Sequence, residues 1–322
     1  MEQHLLLGDS KDVLKTITDG SIDLLATDPP YGIEFMGKSW DKVLPDKEIW
    51  TECYRVLKFG AFIAVMSSPR SDVLYRMIKD LEDAGFDMSF SPILWTYHTG
   101  FPKAGDTSKM IDKRAGAQRE VVGKKKEAFT NPKQNIYGGG EGFDEYNKVG
   151  EDGYRITEIT APSTDLAKKY EGSKLGFQPK PAVEHIIIGM KPHGSKSYID
   201  NVLNFEALPD NIKMTYPFIQ VPKPAKKEKN LGIDKNFHPT TKPVKLMSYI
   251  ITLFTREGDF VLDPFLGSGT TGIASKLMGR SFVGIEREQE YMDIAQERCE
   301  VSRDELIKFF KMEQDTQTKL DL

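Results

Sequence analysis

The stretch 260–286 constrains the fold of this chain more than any other. Phe260-Val261-Leu262-Asp263 is a short apolar run that reads as a buried strand. Pro264-Phe265-Leu266-Gly267-Ser268-Gly269-Thr270-Thr271-Gly272 is a tight glycine loop leading into a helix that ends near Met278, with Gly279 as its stop. Ser281-Phe282-Val283-Gly284-Ile285-Glu286 is the next strand. Strand, helix and strand in this order make a parallel pair, and such a pair belongs to a larger sheet covered on both faces. Of the 322 residues only 36 follow Glu286, and their pattern is helical. The rest of the sheet must therefore come from the N-terminal part of the chain.

That part supplies it. Leu5-Leu6-Leu7 reads as a strand, Ser10–Thr18 as a small helix, and Ile22–Thr27 as a buried strand. A helix over Pro45–Phe59 stops at Gly60, and Ala61–Met66 is the next strand. A helix over Ser71–Ala84 and strands at Met88–Trp95 and Glu184–Met190 follow. The alternation predicts an α/β fold with a doubly covered, mostly parallel sheet. In such sheets the ligand sits at the carboxyl ends of the strands, which here end in Asp9, Asp28, Asp263 and Glu286. Asp9 is equally suited to capping the helix that begins at Ser10.

Gly267-Ser268-Gly269-Thr270-Thr271-Gly272 matches G-x-G-x-x-G, and Glu286 ends the next strand 19 residues after Gly267. Physically this builds a nucleoside site: the glycines admit the ligand close to the backbone, and the carboxylate accepts from ribose hydroxyls. A nicotinamide dinucleotide fold would begin with this unit and add its sheet afterwards, the reverse of the order here. Asp263, directly before the loop, would repel a pyrophosphate and favour a cationic amino-acid head group. Both features point to S-adenosylmethionine.

Asp28-Pro29-Pro30-Tyr31 follows the strand Ile22–Thr27. The two prolines forbid a helix or a continued ladder, so the strand must open into a loop there. That loop carries a carboxylate, a carbonyl and an aromatic ring, a set suited to gripping a flat group at an amino nitrogen while stacking on its face. A nucleobase is such a group.

The overall charge of −4 looks unfavourable for a nucleic-acid partner, but its distribution is uneven. Fifteen Lys and Arg stand against twelve Asp and Glu over 99–181, and ten against six over 182–245. A middle at +7 leaves −11 to the two ends, a footprint suited to DNA phosphates. Between Tyr97 and Pro181 no apolar period is sustained, and Lys124-Lys125-Lys126 and Asn135-Ile136-Tyr137-Gly138-Gly139-Gly140 lie there. A second irregular stretch covers 192–237. Gly32–Val43, with Trp40, is either a lid or a plain loop. Cys53 and Cys299 read as core residues, and His98, His185, His193 and His238 lack metal spacing, so no metal is expected. No membrane-spanning run and no signal-peptide pattern after Met1-Glu2-Gln3-His4 give a cytoplasmic expectation.

Asp28-Pro29-Pro30-Tyr31, His238-Pro239-Thr240-Thr241-Lys242-Pro243, Asp263-Pro264-Phe265-Leu266-Gly267-Ser268-Gly269-Thr270 and Val283-Gly284-Ile285-Glu286 together resemble the DNA amino-methyltransferases of permuted motif order, the β group. Phage and restriction-modification enzymes are typical members. The resemblance covers roughly Leu5–Met190 and His238–Glu297, and Thr241 departs from the Gln or Glu usual before the Lys, which leaves that local contact open. It implies a Rossmann-like, circularly permuted seven-stranded sheet with one antiparallel edge strand, assigned to Glu184–Met190. It divides the chain into a catalytic half (1–96), an inserted target-recognition region (97–181), the edge strand (182–191), a second recognition segment (192–237) and a cofactor half (238–322).

The resemblance implies catalysis at Asp28, Pro29, Pro30 and Tyr31. It implies S-adenosylmethionine bound by Asp9, Lys242, Asp263, Pro264, Phe265, Gly267, Ser268, Gly269, Thr270 and Glu286. Double-stranded DNA is the implied substrate, with a second copy of the chain and a cognate restriction enzyme as further partners. The implied reaction is methylation of the N6 amine of a flipped-out adenine, since Asp stands before Pro-Pro-Tyr where Ser would suit cytosine N4. Cytosine N4, an RNA or protein amide, and a silent nucleic-acid binder are the alternatives.

Overall fold

The computed structural model describes residues 1–32, 43–97, 105–128, 154–175, 183–205 and 217–318. The chain divides into two compact units, Met1–Gly100 with Pro181–Leu322, and Phe101–Lys180.

The larger unit is built on a sheet of eight strands: β1 Gln3–Leu7, β2 Ile22–Thr27, β3 Leu57–Ser67, β4 Ile93–Thr96, β5 Val183–Met190, β6 Phe218–Gln220, β7 Phe260–Asp263 and β8 Ser281–Glu286. Their order across the sheet is β1-β8-β7-β2-β3-β5-β4-β6. Only β5 runs against its neighbours, β3 on one side and β4 on the other. The helices used below are α1 Ser10–Val13, α2 Lys47–Val56, α3 Ser71–Asp83, α4 Tyr198–Phe205, α5 Lys226–Lys229, α6 Val244–Phe254, α7 Thr270–Met278 and α8 Gln289–Glu300.

Alternate strand residues feed two cores. Leu24, Ala26, Phe62, Ala64, Ile186 and Ile188 pack with Val244, Met247, Ile250 and Ile251 of α6 and Ile273 of α7. Leu25, Ile63, Val65, Ile187, Leu262 and Ile285 pack with Trp50 and Cys53 of α2 and Met77 and Leu81 of α3. Burial on both faces explains why these strands are continuous apolar runs without a polar alternate.

Several sequence expectations are corrected. Among the described residues the sheet has eight strands, not seven. Phe218–Gln220 adds an edge strand in parallel with Leu94, Trp95 and Thr96, and three residues are too few to show a period. The antiparallel strand is interior, not at the edge. Its uncharged run Ile186-Ile187-Ile188 has none of the charges or prolines that protect edges. Helix α2 ends at Val56, and Gly60 lies inside β3 with φ +82° where its N–H meets the Lys191 carbonyl, because Leu57 already pairs with Ile22. The strand expected over Met88–Trp95 shortens to β4, since Pro92 interrupts the ladder.

The stretch 192–237 holds α4, β6 and α5, and so is less irregular than expected. In the smaller unit a hairpin pairs Val121–Ala128 with Tyr154–Thr160, and helices span Thr107–Arg114 and Asp165–Lys169. Val121, Val122 and Ile159 are all exposed, so no apolar period announced these elements. The fully buried Asp112 ties the unit together by accepting from Arg119, from the Ser163 and Thr164 amides at 3.0 Å, and from the Thr164 hydroxyl at 2.8 Å. Trp40 and its loop, Asn135–Gly140, His98 and the Lys126 side chain lie outside the described residues.

Candidate active site

The ends of β1, β8, β7 and β2 stand side by side and carry Asp9, Glu286, Asp263 and Asp28. Chain order jumps between β7 and β2, the kind of switch point where open α/β sheets form a crevice. Thr27 closes this joint by donating its hydroxyl to Asp263 Oδ1 at 2.5 Å.

Asp28 sits in a cluster of partly buried ionisable groups. Tyr31 donates its hydroxyl to Asp28 Oδ1 at 2.7 Å, and Lys242 donates its ammonium to Asp28 Oδ2. Lys242, expected from the sequence near the cofactor, has its ammonium on Asp28. The same ammonium lies 3.6 Å from Glu184 Oε2 and 5.7 Å from the centre of the Tyr31 ring. Glu184 Oε2 also lies 3.3 Å from the Tyr31 hydroxyl, and Glu184 accepts from the Tyr97 hydroxyl at 3.1 Å. Burial pushes the Asp28 carboxyl up, Lys242 pulls it back, and Glu184 adds to the rise. Burial works against the Lys242 charge, but Asp28 and Glu184 together raise it above the usual lysine value. Burial and the two carboxylates hold the Tyr31 hydroxyl well above its ordinary range.

Sequence reasoning missed Glu184 and Tyr97. Because β5 is reversed, its first residues lie at the edge where the parallel strands end, with Glu184 paired to Trp95 and Tyr97 directly after β4. A single acid at the start of a strand gave no signal of this.

The glycine loop forms the other half. Asp263 is 2 % exposed and is an inner brace: it accepts from Thr27, from the Thr271 hydroxyl at 2.6 Å and from the Phe265 amide at 3.0 Å. Oδ1 takes the Thr27 and Phe265 donors and Oδ2 takes the Thr271 hydroxyl. Burial lifts its carboxyl to about 6 against these three donors. Glu286 accepts from the Gly267 amide at 2.8 Å and the Glu288 amide at 2.9 Å, and burial raises it too.

Gly267 has φ +54°, and a Cβ there would lie 3.0 Å from His238 Nε2; His238 in turn packs edge-on to Tyr291. Gly269 turns into α7 with φ +79° against Ala295. Thr270 begins α7 and is buried, as is Ser268, whose hydroxyl lies 3.3 Å from that of Thr241. Pro264 accepts from the Ser10 hydroxyl at 2.5 Å, and the Phe265 ring meets Trp50. Asp9 caps α1 by accepting from the Lys11 amide at 3.0 Å.

Arg298, also unforeseen, is fully buried on α8 and braces the loop from behind. It donates to the Ser268 carbonyl, to the Ser268 hydroxyl at 3.1 Å and to the Glu228 carbonyl at 3.4 Å. Burial lowers its guanidinium to about 10. The signal was present: Tyr291, Ala295 and Arg298 share one helix face with buried neighbours. Among the described residues no group of three His, Cys, Asp or Glu could hold a metal ion, and no helix is long and apolar enough to cross a membrane.

An N6/N4 methyltransferase family model, described as DNA methylase, matches residues 22–297. The chain belongs to this DNA methylase family. Over 67 residues the methylase is 52% identical to the Type II methyltransferase M2.DpnII of Streptococcus pneumoniae, which is 21% of this chain and 25% of that protein. Over 61 residues it is 52% identical to M2.LlaDCHI of Lactococcus lactis subsp. cremoris, 19% and 23% of the two chains. The methylase thus matches about a quarter of the length of these curated relatives.

Its fold is similar to that of the cytosine-N4-specific PvuII DNA methyltransferase, with a TM-score of 0.53, 17% identity and coverage of 97% of this chain and 92% of that one. A DNA modification methylase of Thermus thermophilus gives 0.50 at 19% identity, covering 92% and 94%. The M1.HpyAVI–SAM complex gives 0.50 at 20% identity, covering 93% and 100%. Identities at this level speak to the fold alone.

Proposed function

We propose that this DNA methylase transfers a methyl group from S-adenosylmethionine to the exocyclic N6 amine of an adenine flipped out of double-stranded DNA, as a β-group enzyme of permuted motif order. The supporting observation is the placement of Asp28, 21% exposed, at the strand end beside the glycine loop. Asp28 in place of a Ser before Pro-Pro-Tyr favours adenine over cytosine.

The residues at this end of the sheet suit the cofactor. Asp28 and Glu286 are anionic, and loop 264–272 has no Lys or Arg, which suits a cationic sulfonium and a hydroxyl-bearing ribose and disfavours a pyrophosphate. Glu286 accepts two amides and keeps lone pairs for ribose hydroxyls. The bound cofactor supplies an electrophilic methyl group. Asp28 and the Pro29 carbonyl accept from the target amine, which orients its lone pair and stabilises charge developing on nitrogen. Asp28 then takes the proton that the nitrogen releases, a role its raised carboxyl favours. Tyr31 and Pro30 shape the wall on which the flipped base stacks. The basic stretches 97–181 and 192–237 carry target recognition, and a second copy of the chain and a cognate restriction enzyme, in the cytoplasm, belong to the same proposal.

Asp28→Ala tests the assignment. The variant should keep cofactor affinity while methyl transfer to DNA falls about 10²-fold or more, the scale of losing one transition-state group. Wild-type turnover by that variant would remove Asp28 from the chemistry.

A further inference from the structure

We infer that Glu184 is a positioning residue that takes the Lys242 ammonium and the Tyr31 hydroxyl from Asp28 when the target amine arrives. The inference rests on the amine-methylation reading and deepens it.

Both oxygens of Asp28 are engaged by donors of the protein itself. Lys242 holds Oδ2, and Tyr31 holds Oδ1 at 2.7 Å. An exocyclic amine must donate to this same carboxylate, so it competes with two internal donors. A bound ammonium is the stronger competitor, because a charge-assisted hydrogen bond exceeds one from a neutral amine. Left alone, the Asp28–Lys242 pair would neutralise the group meant to stabilise positive charge on the target nitrogen.

The same two donors face a second carboxylate oxygen. Glu184 Oε2 lies 3.6 Å from Lys242 Nζ and 3.3 Å from the Tyr31 hydroxyl. A movement of about 1 Å brings either donor to ordinary hydrogen-bond distance from Glu184. The ammonium exchanges one carboxylate for another, so the transfer demands little net desolvation. Afterwards Asp28 is an uncommitted anion facing the amine.

Glu184 is built to receive. Its other oxygen, Oε1, is held by the Tyr97 hydroxyl at 3.1 Å, and the Tyr97 ring lies beneath Lys223 at 4.4 Å. Its backbone is locked in β5, paired to Trp95 on β4. Among the described residues, the charged and titratable groups that these contacts bring to it are Asp28, Tyr31 and Lys242 on one side and Tyr97, with Lys223 over it, on the other. The reversal of β5 brings this acid to the catalytic edge; a parallel strand would place its last residues there instead. The side chains of Asp28, Glu184 and Lys242 are 21%, 13% and 10% exposed, so the cluster is shielded yet borders the crevice.

The test uses the full-length chain, unmethylated mixed-sequence DNA and S-adenosylmethionine, with Glu184→Gln and Glu184→Asp. Steady-state kinetics give kcat and the KM for DNA, calorimetry gives cofactor affinity, and ¹⁵Nζ NMR follows the Lys242 titration. In Glu184→Gln, kcat should fall about 10-fold or more, the size of one lost acceptor for a charged donor. Cofactor affinity should stay within about twofold, and the Lys242 ammonium should titrate at lower pH than in the wild type. Glu184→Asp should restore part of kcat. Wild-type kcat in Glu184→Gln would overturn the inference. So would a fall in kcat accompanied by an equal loss of cofactor affinity and an unchanged Lys242 titration, which would mark a merely structural role. A wild type that methylates no DNA amine would overturn the functional reading and this inference with it, a failure told apart because it precedes any variant.

Discussion

Replacing Asp263 by Asn should change how stability depends on pH. Asp263 is 2 % exposed, and burial lifts its carboxyl from 3.8 to about 6. The folded state therefore keeps a proton that the unfolded chain releases earlier. Between about pH 4 and pH 6 the folded state binds more protons, so rising pH lowers stability by about 1.4 kcal/mol per pH unit. The benefit is fully present below about pH 4 and is lost by about pH 6.5, a total of about 3 kcal/mol. Asn fits the same bonds: its oxygen accepts from Thr27 and Phe265, and its amide donates to the Thr271 hydroxyl, which can rotate to accept. Urea unfolding followed by tryptophan fluorescence at steps from pH 4 to pH 7.5 gives the free energy of each protein. The wild-type value minus that of the Asp263→Asn variant should fall by about 2.4 kcal/mol across that range, other titrations cancelling in the difference. A flat difference, or one rising with pH as for a carboxylate stabilised by its three donors, would refute the description of Asp263 as a buried brace held partly neutral.

The remaining predictions concern the two halves of the crevice. Arg298→Met removes the donors to the Ser268 carbonyl and hydroxyl, leaving a buried acceptor unmatched; unfolding free energy should drop by about 1–3 kcal/mol and cofactor affinity measured by calorimetry should weaken. Tyr31→Phe keeps the stacking ring but loses the hydroxyl between Asp28 and Glu184; kcat should fall about 10-fold, the scale of one lost hydrogen bond to a charged group, with cofactor affinity unchanged.

The parts of the site legible in the sequence are those fixed by neighbours along the chain. Gly267 and Gly269 announce a turn with positive φ, and Glu286 announces the end of the next strand, all within one strand-loop-helix-strand unit. The N-terminal strand β2 lies against β7 and so continues the sheet that this unit begins. What escaped depends on contacts distant in sequence. Lys242 meets Asp28 across 214 residues, and Tyr31 meets Glu184 across 153. The sequence shows the charge of Asp263 but not the hydroxyls of Thr27, 236 residues away, and Thr271 that donate to it. Strand β6 and the hairpin of the smaller unit were hidden for opposite reasons, one too short for a period and the other exposed on its apolar residues.

The most direct test of the proposed activity is the chemical identity of the methylated product. The purified protein is incubated with unmethylated DNA and labelled S-adenosylmethionine, the DNA is digested to nucleosides, and the labelled one is identified. Labelled N6-methyladenine is the expected product, formed about 10²-fold or more slowly with Asp28→Ala. Label only in N4-methylcytosine would contradict the adenine assignment, and no labelled nucleoside at all would contradict the reading of this crevice as a site for DNA amine methylation.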